Sequence, residues 1–552
     1  MRRLLIVVMV TVAPGVAMAQ TWQDATANCI GTTAEWTNKV EVADVDGDGK
    51  VDLLLANGGD YSSPGNPPNN EPTRIFKNTW GGTTNCTEIS ATALGGFTGM
   101  SRMIKAADID GDGDLDLLTG GAYQTQLKLY KRDAASWTDA TAQLPQQLTS
   151  IGDAEFGDVD NDGDLDIVLA DWGGTNPGTN TGGRTRLYLN NAGTFTEATA
   201  TQMPDLLVKW SWDIELADVD NDWDLDVLVS CKRCTTSYVF KNDGTGHFTD
   251  DPNALPHFTN NYEFEPMDID KDGDLDLITI NDGPQVTEHI FVNRGDGTFA
   301  DETSMRLTGT ANPANADDNV AVWLDYDDDG DPDLLIGTLG ADRLLSNDGS
   351  GKFTLVANAT PNDTNATLGL AVADFDGDGR IDILQGQGEV AFPDKVQLAS
   401  MAVKVDTTPP IVRVATSLSG NILTARVNDL VGPSHVHDFQ KVVVVVGSTE
   451  IPMQWYGEML WRAAIPTEAM SATYQVCATD RQGNKGCATN APTGDADAGV
   501  GDDGGTKPPG GGGGGCCEAS GDQRGALVLI ALVAITWRRR SPRVARRTSR
   551  AA

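Results

Sequence analysis

Residues Ala43–Gly59 read ADVDGDGKVDLLLANGG. Aspartate stands at 44, 46, 48 and 52, glycine at 47 and 49, and an apolar run follows. A loop that merely faces water needs no such spacing. The pattern D-x-D-x-D-x-x-x-D recurs seven times, starting at Asp44, Asp108, Asp158, Asp218, Asp268, Asp325 and Asp374. The intervals are 64, 50, 60, 50, 57 and 49 residues. A period near 50 with β-type composition predicts propeller blades rather than helical solenoids. A short apolar lead-in precedes each copy (Val40-Glu-Val-Ala, Val320-Ala-Val-Trp-Leu) and a β-rich run follows it (Leu115-Asp-Leu-Leu-Thr, Leu165-Asp-Ile-Val-Leu). The aspartate loop therefore joins two strands.

Most copies carry a second phrase further on, among them RLYLNNAGTFTEAT, YVFKNDGTGHFTDD, HIFVNRGDGTFADET and RLLSNDGSGKFTL. Strand, Asn/Asp/Gly turn and strand make a hairpin. Two strands around the loop plus this hairpin give four strands per repeat. The stretch TWQDATA near the start resembles SWTDATA and TFTEATA, which end other repeats. The N-terminal segment is therefore expected to supply the outer strand of the last blade, removing a free edge. The fold class read from this pattern is all-β: a seven-bladed β-propeller followed by a small β-sandwich.

Calcium takes six to eight oxygens at about 2.3–2.6 Å. Aspartates at loop positions 1, 3, 5 and 9, with a backbone carbonyl at 7, can converge on one such ion, and glycine at position 6 allows the sharp turn. The EF-hand, which needs glutamate at position 12 and flanking helices, fails. Position 12 is Leu55, Thr119, Leu169, Val229, Thr279, Ile336 and Gln385. A net charge of −39, more negative still without the nine arginines near the two termini, argues against nucleic acid as a partner.

These seven copies resemble the FG-GAP/VCBS repeats of the integrin α-subunit type of β-propeller, over residues 20–406. The resemblance implies a seven-bladed ring with Ca2+ in its loops, serving recognition or scaffolding. It implies as ligands Asp44, Asp46, Asp48 and Asp52 with the Lys50 carbonyl in loop 1, and Asp108, Asp110, Asp112, Asp114 and Asp116 in loop 2. Loop 3 offers Asp158, Asp160, Asp162, Asp164 and Asp166, and loop 4 Asp218, Asp220, Asp222, Asp224 and Asp226. Loop 5 offers Asp268, Asp270, Asp272, Asp274 and Asp276, and loop 6 Asp325, Asp327, Asp329, Asp331 and Asp333. Loop 7 closes the set with Asp374, Asp376, Asp378, Arg380 and Asp382. The fourth loop is expected to be the weakest, because Trp223 stands at position 6, where the others are read as glycine (Gly47, Gly111, Gly163, Gly273, Gly330, Gly377). The opposing reading is that Trp223 packs on a neighbouring blade at no cost.

Outside the repeats, residues 1–19 read as a secretory signal ending in Ala17-Met18-Ala19. Residues 407–491 carry short strands and turns, and the Thr-Thr-Pro-Pro entry resembles bacterial immunoglobulin-like modules. Residues 492–517 form a Gly/Asp/Pro-rich linker ending in Cys516-Cys517. Residues 518–552, an apolar stretch with an arginine-rich end, resemble with that cysteine pair the myxobacterial C-terminal sorting signal. It implies export, and retention at the cell surface or outer envelope through a membrane-held C-terminus. Cys477 and Cys487 flank a turn, Cys231 and Cys234 suit a local disulfide, and Cys29 and Cys86 suit a pairing across the first blade.

Neither H-E-x-x-H nor G-x-S-x-G occurs, and the five histidines form no catalytic pattern. His435 and His437 read as a surface pair. Arg294-Gly295-Asp296 reads as turn chemistry of its hairpin. The functional expectation is a calcium-binding surface propeller with no catalytic residues, which binds a surface protein or glycan or scaffolds an envelope assembly. The alternative is an extracellular carbohydrate-active enzyme, a lyase or hydrolase, built on a propeller. The insertion 57–74, with Tyr61, is the candidate ligand contact.

Overall fold

The computed structural model describes residues 21–489, apart from 60–69, 175–179, 282–285, 315, 361–365, 416–418, 435 and 467–473. The expected signal segment, Tyr61, His435, the linker and the C-terminal tail lie outside the described residues. What is described is nearly all β.

Seven four-stranded antiparallel sheets occur among these residues, one for each aspartate loop. Sheet 1 comprises Thr37–Ala43, Asp52–Asn57, Arg74–Asn78 and Cys86–Glu88 in that order, and the next five repeat the order. In each, the loop joins the first strand to the second. The second strands are buried along their whole length, as in Asp52–Asn57 and Asp276–Asn281. Both faces of such a strand are covered, which is why Leu53-Leu-Leu-Ala shows no polar alternation.

Sheet 7 takes three strands from Thr367–Ala373, Asp382–Gln387 and Lys395–Ala399, and its fourth from Trp22–Asp24. Trp22 pairs with Ala399 and Asp24 with Gln397. Trp22 is fully buried and donates from Nε1 to Ile381 O at 2.9 Å. The expected contribution of the N-terminal segment is thus observed. The first strands of the seven sheets contact one another in succession, and that of sheet 7 returns to that of sheet 1. Apolar residues fill the space between neighbours: Leu54 and Ile75 of sheet 1 share a cluster with Ile104 and Leu117 of sheet 2.

The inward faces of the first strands bury charge. Lys39 Nζ lies between Asp153 and Asp213, 2.7 Å from the latter. Lys105 Nζ lies 2.5 Å from Glu155 Oε1 and 3.8 Å from Glu41 Oε2. Beside them is a cavity of about 50 Å³ lined in part by Glu215, Glu263 and Glu265. Burial pushes Glu41 up to about 7 and Glu155 to about 8, and holds Glu215, Glu263 and Glu265 well above the ordinary carboxyl range.

Beyond Asp406 lie two further four-stranded sheets, Ile411–Val414, Ile422–Asn428, Leu460–Ala464 and Gln454–Gly457 in one, Thr449–Pro452, Phe439–Val446, Tyr474–Asp480 and Lys485–Thr489 in the other. They share one core of Leu423, Val427, Val442, Val444, Trp461 and Val476. Disulfides join Cys29 to Cys86, Cys231 to Cys234 and Cys477 to Cys487.

Candidate metal loops

Three hydrogen-bond relations recur through the loops and explain their spacing. The position-1 carboxylate accepts from the position-6 N–H: Gly49 to Asp44 at 2.8 Å, Gly113 to Asp108 at 2.9 Å, Gly330 to Asp325 at 2.9 Å. The position-5 carboxylate accepts from the position-7 N–H, as from Lys50 to Asp48 and from Asp224 to Asp222, both at 3.0 Å. In six loops the buried position-9 carboxylate accepts twice, while in loop 2 Asp116 accepts from Arg132 N–H at 2.8 Å and its Oδ2 is buried and unmatched. In loop 1, Asp52 takes Val45 N–H at 3.1 Å and Asn78 N–H at 2.7 Å, tying the loop to the third strand. Asp166, Asp226, Asp276, Asp333 and Asp382 repeat this pair.

These constraints bring together the expected ligands. Carboxylate oxygens of Asp44, Asp46 and Asp48 lie within 4.8 Å of one another, as do those of Asp108, Asp110 and Asp112, of Asp158, Asp160 and Asp166, and of Asp218, Asp220 and Asp222. Position-7 side chains turn elsewhere: Asp164 accepts from Ala192 N–H at 2.8 Å, and Asp274 from Asn221 Nδ2 at 2.9 Å. A position-7 contribution is accordingly left to the backbone.

Whether the loops suit a cation is tested by their buried oxygens. One carboxylate oxygen of Asp46, Asp220, Asp270 and Asp327, the position-3 residues of loops 1, 4, 5 and 6, is buried with no hydrogen-bond partner. One oxygen of the position-1 residues Asp218 and Asp268 is in the same state. A buried acceptor left unmatched is costly, and here the unmatched oxygens fall on residues of the expected ligand set. Burial, with added repulsion from loop neighbours, pushes Asp52 up to about 7, Asp276 and Asp382 to about 8, and Asp333 to about 9. A divalent cation bound by oxygen ligands offsets both penalties. The donor set fits calcium.

The glycine register read from sequence needs correction in three loops. Position 6 holds Gly49, Gly113 and Gly379 in loops 1, 2 and 7, and Gly47, Gly111 and Gly377 stand at position 4. Both positions are left-handed. Position 4 has φ of +72° at Gly47, +60° at Asn161 and +63° at Lys271; position 6 has +88° at Gly49 and +94° at Gly273. Trp223 adopts φ +75° at position 6, as the turn demands. The space is not the obstacle, since a Cβ built at Gly49, Gly113 or Gly163 meets no atom within 4 Å. Trp223 also packs, half-buried, against the cluster around Leu216 and Tyr456, and its carbonyl accepts from Tyr456 Oη at 2.9 Å. The left-handed backbone costs about 1–2 kcal/mol, and a half-buried indole contributes somewhat more than that. In saturating calcium, Trp223→Gly should therefore lose about 1 kcal/mol in chemical denaturation. A gain instead would make strain the dominant effect at this loop.

Sequence reading missed the asparagine at the end of the third strand. Asn78 Nδ2 donates to Val51 O in its own loop at 3.1 Å and to Phe375 O in loop 7 at 2.8 Å. Asn190, Asn242, Asn293 and Asn347 do the same toward loops 2, 3, 4 and 5. One side chain therefore pins each of these loops to its neighbour. Its signal was present, as the recurring Asn before the hairpin turn. In the Arg294-Gly295-Asp296 turn, Asp296 caps Thr298 N–H at 3.0 Å and Gly295 has φ +78°, so the tripeptide serves its hairpin.

The chain matches the FG-GAP-like repeat at residues 108–169, 175–229, 218–279, 268–336 and 325–384, and so carries five such repeats in an all-β repeat fold. One similar solved structure is that of an Agrocybe aegerita lectin with specific recognition of non-reducing terminal N-acetylglucosamine. It shares 18% identity at a TM-score of 0.40, over 60% of this chain and 81% of that one. The V. cholerae biofilm matrix protein Bap1 shares 14% identity at a TM-score of 0.31, over 85% of this chain and 76% of that one. No curated protein matches the chain.

Proposed function

We propose that this is a calcium-binding recognition or scaffold protein of the cell surface, without a catalytic role. In this reading residues 20–406 form a seven-bladed β-propeller and 407–491 an immunoglobulin-like β-sandwich. Residues 1–19 direct export, and the linker 492–517 and tail 518–552 hold the protein at the envelope. The observation that carries the reading is the set of buried, unmatched carboxylate oxygens at positions 1 and 3 of the loops. The FG-GAP-like repeats support it, and so do the three disulfides, which suit an oxidising compartment. When bound, the ion neutralises the loop and crosslinks its oxygens. The chain's own part is to orient those oxygens, through the position-6 and position-7 N–H groups and the position-9 carboxylate. The ligand is a surface protein or a glycan.

After dialysis against millimolar calcium, metal analysis should find up to seven ions per chain, one for each loop. A screen of glycans and envelope proteins should then give partners that are lost on chelation. A chain free of calcium after such dialysis would end this reading, and turnover of a polysaccharide in the screen would favour the enzyme alternative.

A further inference from the structure

The sheets beyond Asp406 do not stand apart from the metal loops. The strand Gln454–Gly457 reaches loop 3, where Tyr456 O accepts from Asp158 N–H at 2.8 Å. Tyr456 Oη then holds loop 4 through the Trp223 carbonyl. Of the arginines beyond Asp406 that touch the loops, two reach position-1 carboxylates. Arg426 Nη2 donates to Asp218 Oδ2 at 2.9 Å and to Asp218 O at 2.9 Å, with both side chains almost wholly buried. Arg462 Nη2 pairs with Asp158 Oδ2, the aspartate buried and the arginine partly so, and its Nη1 donates to Asn161 at 3.3 Å. Asp158 and Asp218 are the position-1 residues of loops 3 and 4. In the other five loops no residue beyond Asp406 is hydrogen-bonded or ion-paired to the position-1 carboxylate, among the described residues.

The other oxygen of Asp218 tells how ion and arginine relate. Oδ1 is buried and unmatched, as is Oδ1 of Asp220, although Arg426 sits on Oδ2. The arginine therefore leaves the ion-facing side of the loop open. It acts on an ion by charge. A guanidinium and a divalent cation on one carboxylate are each attracted by the loop, and the term between them is repulsive. In a buried setting that repulsion is weakly screened.

We propose that Arg426 and Arg462 are built-in competitors of the cation: calcium in loops 3 and 4 and docking of the C-terminal module oppose each other. This rests on the calcium reading of the loops. Each arginine then weakens calcium binding at its own loop, and filling those loops loosens the module's grip. Lys77, Lys131, Lys241 and Arg306, which pair with the position-3 aspartates of loops 1, 2, 4 and 5, belong to the repeats themselves and do not respond to docking. Reciprocity is required, because each ligand changes the affinity for the other by the same factor. The ring face that holds the ions is thereby also a calcium-sensitive latch for the module.

Calorimetric titration of the full chain with calcium, at fixed ionic strength, tests this. The double variant Arg426→Gln/Arg462→Gln should bind calcium at two of its sites about tenfold or more tightly than the wild type does, within the usual range of such linkage. Affinities equal to the wild type's, or weaker, overturn the proposal while leaving the calcium reading intact. Binding of no calcium by either protein removes both. Hydrogen exchange on the wild type alone is a second test, and it does not depend on the variant folding. Amides of Gln454–Gly457 and Leu460–Ala464 should exchange faster in saturating calcium than in chelator, whereas slower exchange means that ion and module cooperate, and overturns the proposal.

Discussion

Exhaustive chelation should lower the melting temperature by about 20 °C. An ion bound only by the folded state, at a concentration a hundredfold above its dissociation constant, stabilises by about 2.7 kcal/mol per site. Seven loops share that effect, and each strand pair they join is held from its loop end. Removing the ions also leaves the position-9 carboxyls buried among other aspartates, the condition that pushes Asp333 up to about 9. Differential scanning calorimetry with chelator, then with calcium restored, measures the shift. A melting curve indifferent to chelation would show that the loops hold themselves without a cation.

Glu458→Gln should stabilise the protein by roughly 3 kcal/mol more at pH 8 than at pH 5. Glu458 is partly buried near Lys105, with its carboxylate accepting from Ser434 N–H at 3.3 Å, and loss of hydration pushes it up to about 8. A carboxyl whose folded value lies above its unfolded value near 4.5 binds a proton more tightly in the folded state. Its contribution to stability is therefore full below about pH 4.5 and is lost as the pH rises through 8. Glutamine keeps the acceptor for Ser434 and removes the charge. Glu41 and Glu155 shift in the same direction, so the wild type itself should lose stability between pH 5 and 8. Urea unfolding at the two pH values, in saturating calcium so that the loop aspartates are not titrated, reads both effects. An equal effect of the substitution at pH 5 and pH 8 would mean that water or a neighbour already relieves Glu458.

The repeat and its loops were legible because their constraints are local: nine residues specify the turn, and the strands around it announce themselves by composition. Even the closing strand could be read, since TWQDATA repeats a phrase found twice elsewhere. What escaped was pairing across distance. Lys39 and Glu41 sit in a lead-in that reads as polar alternation, so nothing local marks them as buried against Asp213 or Lys105. Arg426 lies 208 residues from Asp218, in a strand whose sequence names no partner. The glycine register slipped for a physical reason too. Positions 4 and 6 of the loop both take the left-handed region, and asparagine, aspartate and lysine stand at position 4 in place of glycine in loops 3 to 6.

Sheet 7 is joined from the two ends of the repeat array. Trp22–Asp24 cannot pair until Lys395–Ala399 exists, about 370 residues later in synthesis. Closing so long a stretch of chain is an entropic hurdle that grows only slowly with length, but it must be met after the other sheets have formed their own local contacts. Only three residues wait, too short a strand to recruit foreign edges readily. Their tether is short as well, because the Cys29–Cys86 bridge fastens the following turn to sheet 1, whose first strand lies against that of sheet 7. An anchored strand needs only a local search to close sheet 7, so a Cys86→Ser chain should reach the same structure with that closure slowed in refolding kinetics.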